Sequence, residues 1–195
     1  MAKIDYDKLY RELTTYSINS FKQDNSSISE YADIFNEGFI ASYKRETLDN
    51  FKHKYILMYW FRTYPKLFDR DDLWLASRDQ KEVGNHFGEW LGAILFYHHF
   101  GYISLIEKYE KVKSKAHRRK GKVFQSLVDP SLHSYVASHS SQPPDLFLFK
   151  HNDQMFCEIK RKKNNESLTP NQPKHFNKLF TEHNKKVALL TLNEE

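Results

Sequence analysis

The spacing of apolar positions changes along this chain from a helical to an alternating rhythm. Tyr6, Leu9, Tyr10, Leu13 and Tyr16 recur three and four residues apart, one face of a helix. Ser27-Ile28-Ser29-Glu30 has the form of a capping box, and Ile28, Tyr31, Ile34, Phe35 and Phe39 predict a second helix from it. A third is expected over 47–63, ended by Pro65, its Phe51, Tyr55, Trp60 and Phe61 read as core rather than as a base-stacking surface. From Gln80 to Phe100, Val83, Phe87, Trp90, Leu91, Ile94 and Leu95 mark a buried stripe that Gly101 would terminate.

Beyond that point the strands begin. Tyr102–Ile106 reads as the start of one, and the following stretch ends in a short helix near Val123–Val128, before Asp129-Pro130. The Ser- and His-rich segment 131–143 reads as a loop. Two runs, Pro144–Phe149 and Phe156–Lys160, predict adjacent strands of a hairpin. Thr169 as N-cap, Pro170 at the first helical position and Gln172 at the reciprocal capping position open a helix carrying Phe176, Leu179 and Phe180. Residues 186–192 form a last buried strand. The sum is an α/β sandwich over 80–195 behind a helical N-terminal extension over 1–79.

A chain of 195 residues, 39% hydrophobic and 28% charged, holds one sizeable core with an appended part. No apolar run approaches the roughly 20 residues that span a bilayer. The first residues lack the apolar segment of a secretory signal. One cysteine, Cys157, excludes an internal disulfide framework and a cysteine-based zinc cluster. A cytoplasmic protein is expected. The net charge of +5 is uneven: residues 1–80 hold 12 Lys and Arg against 13 Asp and Glu, residues 81–195 hold 18 against 12. Lys115, Arg118, Arg119, Lys120 and Lys122 form a dense run, and Arg161, Lys162 and Lys163 a second. Alone such runs are solvated faces; beside a phosphodiester site they become phosphate contacts.

That site is suggested by the hairpin. Strand side chains alternate, so Glu158 and Lys160 share one face while Cys157 and Ile159 share the other, and Asp145 at the start of the neighbouring strand comes within reach. Two carboxylates and an ammonium there make a metal-binding, water-activating group. Asp145 and Glu158 are hard oxygen ligands suited to Mg²⁺ or Mn²⁺. Lys160 would orient water and meet phosphate, and cationic crowding would lower its pKa enough to serve as a base. Each has a plainer reading: Asp145 as a turn residue, Glu158 and Lys160 as a solvated pair, Gln172 as a cap alone. His98 and His99 diverge on a helix and are read as structural.

Pro144-Asp145 and Glu158-Ile159-Lys160 resemble the signature of the PD-(D/E)xK nuclease superfamily, and Leu168-Thr169 with Gln172 brings the pattern closest to VRR-NUC domains. The resemblance covers roughly residues 80–192. It departs in the segment 161–167, which is longer and carries Asn164, Asn165 and Glu166 where an aspartate is common. The resemblance implies a restriction-endonuclease-like core, a mixed sheet flanked by helices in the order αβββαβ. It implies metal ligation by Asp145, Glu158 and the Ile159 carbonyl, with an acidic residue on the first core helix and a positioning role for Gln172. Glu82 and Glu89 compete for the helix role, and Glu89 is preferred because Gly88 and Gly92 allow close approach. The expected activity is Mg²⁺-dependent hydrolysis of DNA in preference to RNA, endonucleolytic rather than exonucleolytic, with selectivity for branched or flap structures, homodimer formation left open and no membrane partner. The alternatives are a non-catalytic nucleic-acid-binding module and a helical partner-docking protein on the same scaffold.

Overall fold

The computed structural model describes residues 4–78, 83–112, 117–139, 143–164 and 166–195. Six strands form one mixed sheet: β1 (Lys22–Gln23), β2 (Glu37–Tyr43), β3 (Ile103–Ile106), β4 (Leu146–Lys150), β5 (Asp153–Arg161) and β6 (Lys186–Glu194). Their spatial order is β1-β2-β6-β5-β4-β3. β3, β4 and β5 make an antiparallel meander, β5 and β6 pair in parallel, and β2 extends the sheet parallel to β6.

The alternation of β4, β5 and β6 divides the core into two. Leu146, Leu148, Met155, Cys157, Ile159, Ala188, Leu190 and Leu192 pack on one side. That side is covered by α1 (Tyr6–Ser20), α2 (Arg45–Lys52), α3 (Tyr55–Thr63), α4 (Arg70–Arg78) and α5 (Phe87–Phe100). Phe147, Phe156, Val187 and Leu189 face the other, under α6 (Arg118–Leu127), α7 (Pro130–Ser138) and α8 (Gln172–Thr181). α5 is apolar nearly all round because it lies inside the larger core, and Gly101 ends it in the left-handed conformation at φ 71°. No helix among the described residues is long and apolar enough to cross a membrane.

The N-terminal 79 residues are not all helical. The segment expected as a second helix forms a 3-10 turn, Asn25–Tyr31, capped by Asp24, and then β2. Phe39, Ala41 and Tyr43 are buried on alternate positions, a strand period that the helical reading overlooked. Gly38 permits the turn to lie against β2: a Cβ there would sit 2.6 Å from the Asp24 carbonyl oxygen. The third expected helix is two, α2 and α3, broken at Lys54, whose φ is 67°. Residues 131–138, expected as loop, are α7, with Asp129 accepting from the Ser131 and Leu132 N–H groups and Pro130 in the first turn. α8 begins at Gln172 with Asn171 in the capping position, so Thr169 is not its N-cap.

Lys120 overturns the phosphate-binding role expected of it. Its Nζ donates to Asp72 Oδ1 at 2.5 Å and to the Ile106 carbonyl at 2.7 Å, and both side chains are almost wholly buried. The residue lies on the inward face of α6, so its charge ties that helix to α4 and to the end of β3. Burial pushes the Asp72 carboxyl up to about 6 in spite of the facing ammonium. Removing one partner of such a pair leaves an uncompensated buried charge. Lys120→Met is therefore expected to cost about 3–5 kcal/mol in urea unfolding, and Lys120→Met/Asp72→Leu to recover much of it. Arg119→Ala, which breaks a pair between an exposed arginine and the largely buried Asp69 but leaves Asp69 its two backbone N–H donors, is expected to cost about 1 kcal/mol.

Candidate active site

Near the carboxyl ends of the parallel pair β5 and β6, the sheet gathers its polar side chains. The Ile159 N–H donates to Asp145 Oδ2 at 2.8 Å, fastening the carboxylate that precedes β4 to the strand carrying Glu158. Buried Tyr109 donates to the Pro144 carbonyl at 2.7 Å, and the Glu107 N–H donates to the Asp145 carbonyl at 3.2 Å. The Pro144-Asp145 step is thus held from β5 and from the chain that leaves β3.

Glu158 lies on the α8 side of β5, 1% exposed. Its Oε1 accepts from Lys160 Nζ at 2.8 Å and from Gln172 Nε2 at 2.9 Å. Gln172 Oε1 in turn accepts the Thr169 N–H at 2.9 Å, so one amide ties the turn before α8 and orients the carboxylate. Glu158 Oε2 is buried with no hydrogen-bond partner.

Glu89 approaches from the opposite face, in the first turn of α5. The two glycines beside it set that approach: a Cβ at Gly92 would lie 2.7 Å from Ile159 Cδ1, and one at Gly88 would lie 3.2 Å from Ile159 Cγ2. Glu89 Oε2 is likewise buried without a partner. A cavity of about 140 Å³ is lined by Glu89, Asp145, Ile159, Lys160, Arg161 and Glu166. Through it Glu89 and Asp145 keep partial access to solvent although protein surrounds them. Lys160 also borders a groove of about 690 Å³, walled by the serine-rich turn, Tyr31, Lys162, Thr191 and Asn193.

The charges here are in conflict. Burial, then the charges of Glu107 and Asp145, push the Glu89 carboxyl well above the usual range. Burial, then Glu158, does the same to Asp145, against the Ile159 N–H bond. Burial also raises Glu158, opposed by Lys160 and Gln172. For Lys160, burial favours losing the proton, but the contact with Glu158 outweighs it and holds the ammonium above its ordinary value. The expected lowering of its pKa, and with it the role of base, is corrected: Lys160 is a fixed cation at neutral pH.

Two further residues with potential ligand atoms went unnoticed in the sequence. His86 ends the 3-10 turn Val83–His86 before α5, and Glu107 follows β3 with a left-handed backbone, φ 39°. His86 Nδ1 and Glu107 Oε1 share a hydrogen bond. With Glu89 they are the one group of three His, Cys, Asp or Glu residues, among those described, whose ligand atoms all lie within 4.8 Å of one another. Of the expected metal set Asp145, Glu158, Ile159 and Glu89, only Glu89 belongs to it. The spacing of His86 and Glu89 along one helical turn was visible in the sequence; nothing there marked Glu107.

The basic residues divide. Arg161 donates to Glu166 at 3.0 Å and to the Gly84 carbonyl at 2.9 Å, forming a wall of the cavity rather than an outward contact. Arg119 pairs with Asp69 and Lys163 with Glu194. Arg118, Lys122 and Lys162 are exposed. Lys115 and Glu82 lie outside the described residues. His98 and His99 have structural partners, the Tyr64 hydroxyl and the Ile18 carbonyl.

No family model, no curated protein and no solved structure matches this chain.

Mutual repulsion among buried carboxylates costs stability. A carboxyl raised in the folded state holds its proton after the unfolded chain has lost it, so stability falls as pH rises above the ordinary carboxylate range. In EDTA, Glu89→Gln is expected to raise the melting temperature by about 2–8 °C at pH 8, corresponding to about 1–2 kcal/mol, and by less at pH 5. Thermal melts at the two pH values check both the sign and the difference.

Proposed function

We propose that the chain is a divalent-cation-dependent nuclease that hydrolyses phosphodiester bonds in DNA, built on a restriction-endonuclease-like core of the PD-(D/E)xK type and nearest to VRR-NUC domains. The observation that carries this reading is the register-locked meeting of Asp145, Glu158 and Lys160, with Gln172 on Glu158 and Glu89 lining the same cavity. The order of elements supports it: α5, the meander β3-β4-β5, α8, and β6 parallel to β5, with α6 and α7 inserted between β3 and β4.

The oxygen donors are of the type Mg²⁺ or Mn²⁺ prefers, although Asp145, Glu158 and Glu89 do not form a group of three with ligand atoms within 4.8 Å of one another. Glu158 Oε2 and Glu89 Oε2 are hard oxygen acceptors, buried and without partners. Asp145, Glu158, the Ile159 carbonyl and Glu89 would hold the ion. When bound, it supplies a Lewis acid that offsets charge on the phosphoryl oxygens and acidifies water. The chain's own residues do the rest. The Ile159 N–H and Gln172 hold Asp145 and Glu158 in place, and Lys160, kept protonated by Glu158, supplies a positive charge at the junction of cavity and groove. Arg118, Lys122 and Lys162 are the exposed cations that would meet the phosphate backbone.

The test is cleavage of supercoiled plasmid, linear duplex and flap DNA with Mg²⁺, Mn²⁺ or EDTA. Metal-dependent cleavage is expected, falling by about 10²-fold or more in Asp145→Asn, Glu158→Gln and Lys160→Met. The variants should unfold no less steeply than the wild type. Cleavage that survives in purified Asp145→Asn would remove the assignment, and no cleavage under any metal would remove the activity.

A further inference from the structure

We propose that His86, Glu89 and Glu107 form a binding site for a transition-metal dication of the Mn²⁺ or Zn²⁺ class, distinct from the Asp145–Glu158 pair and sharing only Glu89 with the oxygen set described above. The site does not depend on DNA being the substrate, because metal binding is read directly.

Three observations carry it. Ligand atoms of the three side chains lie within 4.8 Å of one another, drawn from the turn before α5, from α5 itself and from the end of β3. One imidazole and two carboxylates suit a borderline cation; Mg²⁺, which prefers an all-oxygen octahedron, gains little from the nitrogen. Independently, Glu89 Oε2 is buried with no hydrogen-bond partner, whereas His86 and Glu107 satisfy each other. Glu89 is the acceptor that a cation would satisfy.

The surroundings allow an ion to enter and bind. The side chains of His86 and Glu107 are 15% and 17% exposed, so the trio is reached from solvent. Lys120 is near but does not fill the place, since its ammonium is held by Asp72 and the Ile106 carbonyl. Three protein ligands leave coordination positions for water or substrate, the pattern of catalytic rather than structural metal sites. Glu89, lining the cavity with Asp145 as well, would join the two centres.

Chelator-treated full-length protein is titrated with Mn²⁺ alone and with Zn²⁺ alone by calorimetry. His86→Gln and Glu107→Gln are expected to weaken the tightest Mn²⁺ site at least about tenfold, while Lys178→Gln, at the surface of α8, leaves that site within about twofold. Equal affinity in wild type, His86→Gln and Glu107→Gln overturns the proposal. Should either variant fail to fold, paramagnetic broadening in the wild type decides. At substoichiometric Mn²⁺, loss of the His86 and Glu107 amide signals before those of Lys160 and His175 supports the site; the reverse order overturns it. Binding that persists in a protein without nuclease activity would remove the hydrolytic reading and leave this one standing.

Discussion

The bond from the Ile159 N–H to the Asp145 carboxylate is the constraint on which the polar end of the molecule rests. It extends the β4–β5 register, Leu146 against Cys157, by one further step. Because side chains alternate, that register commits Cys157 and Ile159 to the apolar packing under α5 and leaves Glu158 and Lys160 to α8. A slip of one residue would bury Lys160 in the larger core and turn Ile159 toward Gln172. Two anions can be held so close because each is tethered by donors fixed in the backbone or in a helix start.

The same geometry explains why the site costs stability. Glu89, Asp145 and Glu158 are all raised by burial, Glu89 further by the charges of Glu107 and Asp145, and Asp145 further by those of Glu158 and Glu107. A chain selected only for folding would replace them with apolar residues of similar volume. Glu89 and Asp145 line a cavity, and one carboxylate oxygen each of Glu89 and Glu158 is buried without a partner, an arrangement that the cation proposed above would relieve. Lys160 offsets one of these charges and is itself held protonated, so its contribution is a fixed positive field rather than proton transfer.

Much of this was legible in the sequence, and the omissions have physical reasons. The hairpin, the Glu-x-Lys alternation, the buried stripe of α5 and Gly101 are local, set by periods of two and 3.6 residues and by short-range turn chemistry, whereas the cap of α8 falls two residues past the expected Thr169, at Asn171. β2 was missed because Ile28, Tyr31, Ile34 and Phe35 mimic a helical face, although Phe39, Ala41 and Tyr43 alternate behind it. Lys120 read as one cation in a basic run because its partner, Asp72, is 48 residues away. Glu107 had no motif around it; its place beside His86 and Glu89 comes from where β3 ends against α5, a tertiary fact.

β2 also alters what the C-terminal half can be by itself. Hydrogen bonded along its whole length from Glu37 to Tyr43, it covers one side of β6, and β6 is among the most apolar strands of the sheet. A fragment starting near residue 80 would carry Glu89, Glu107, Asp145 and Glu158 yet leave that side of β6 as an open, unpaired border. Such a border recruits other chains. The N-terminal segment therefore covers the edge of β6 with a paired strand, a structural duty quite apart from any part it has in chemistry.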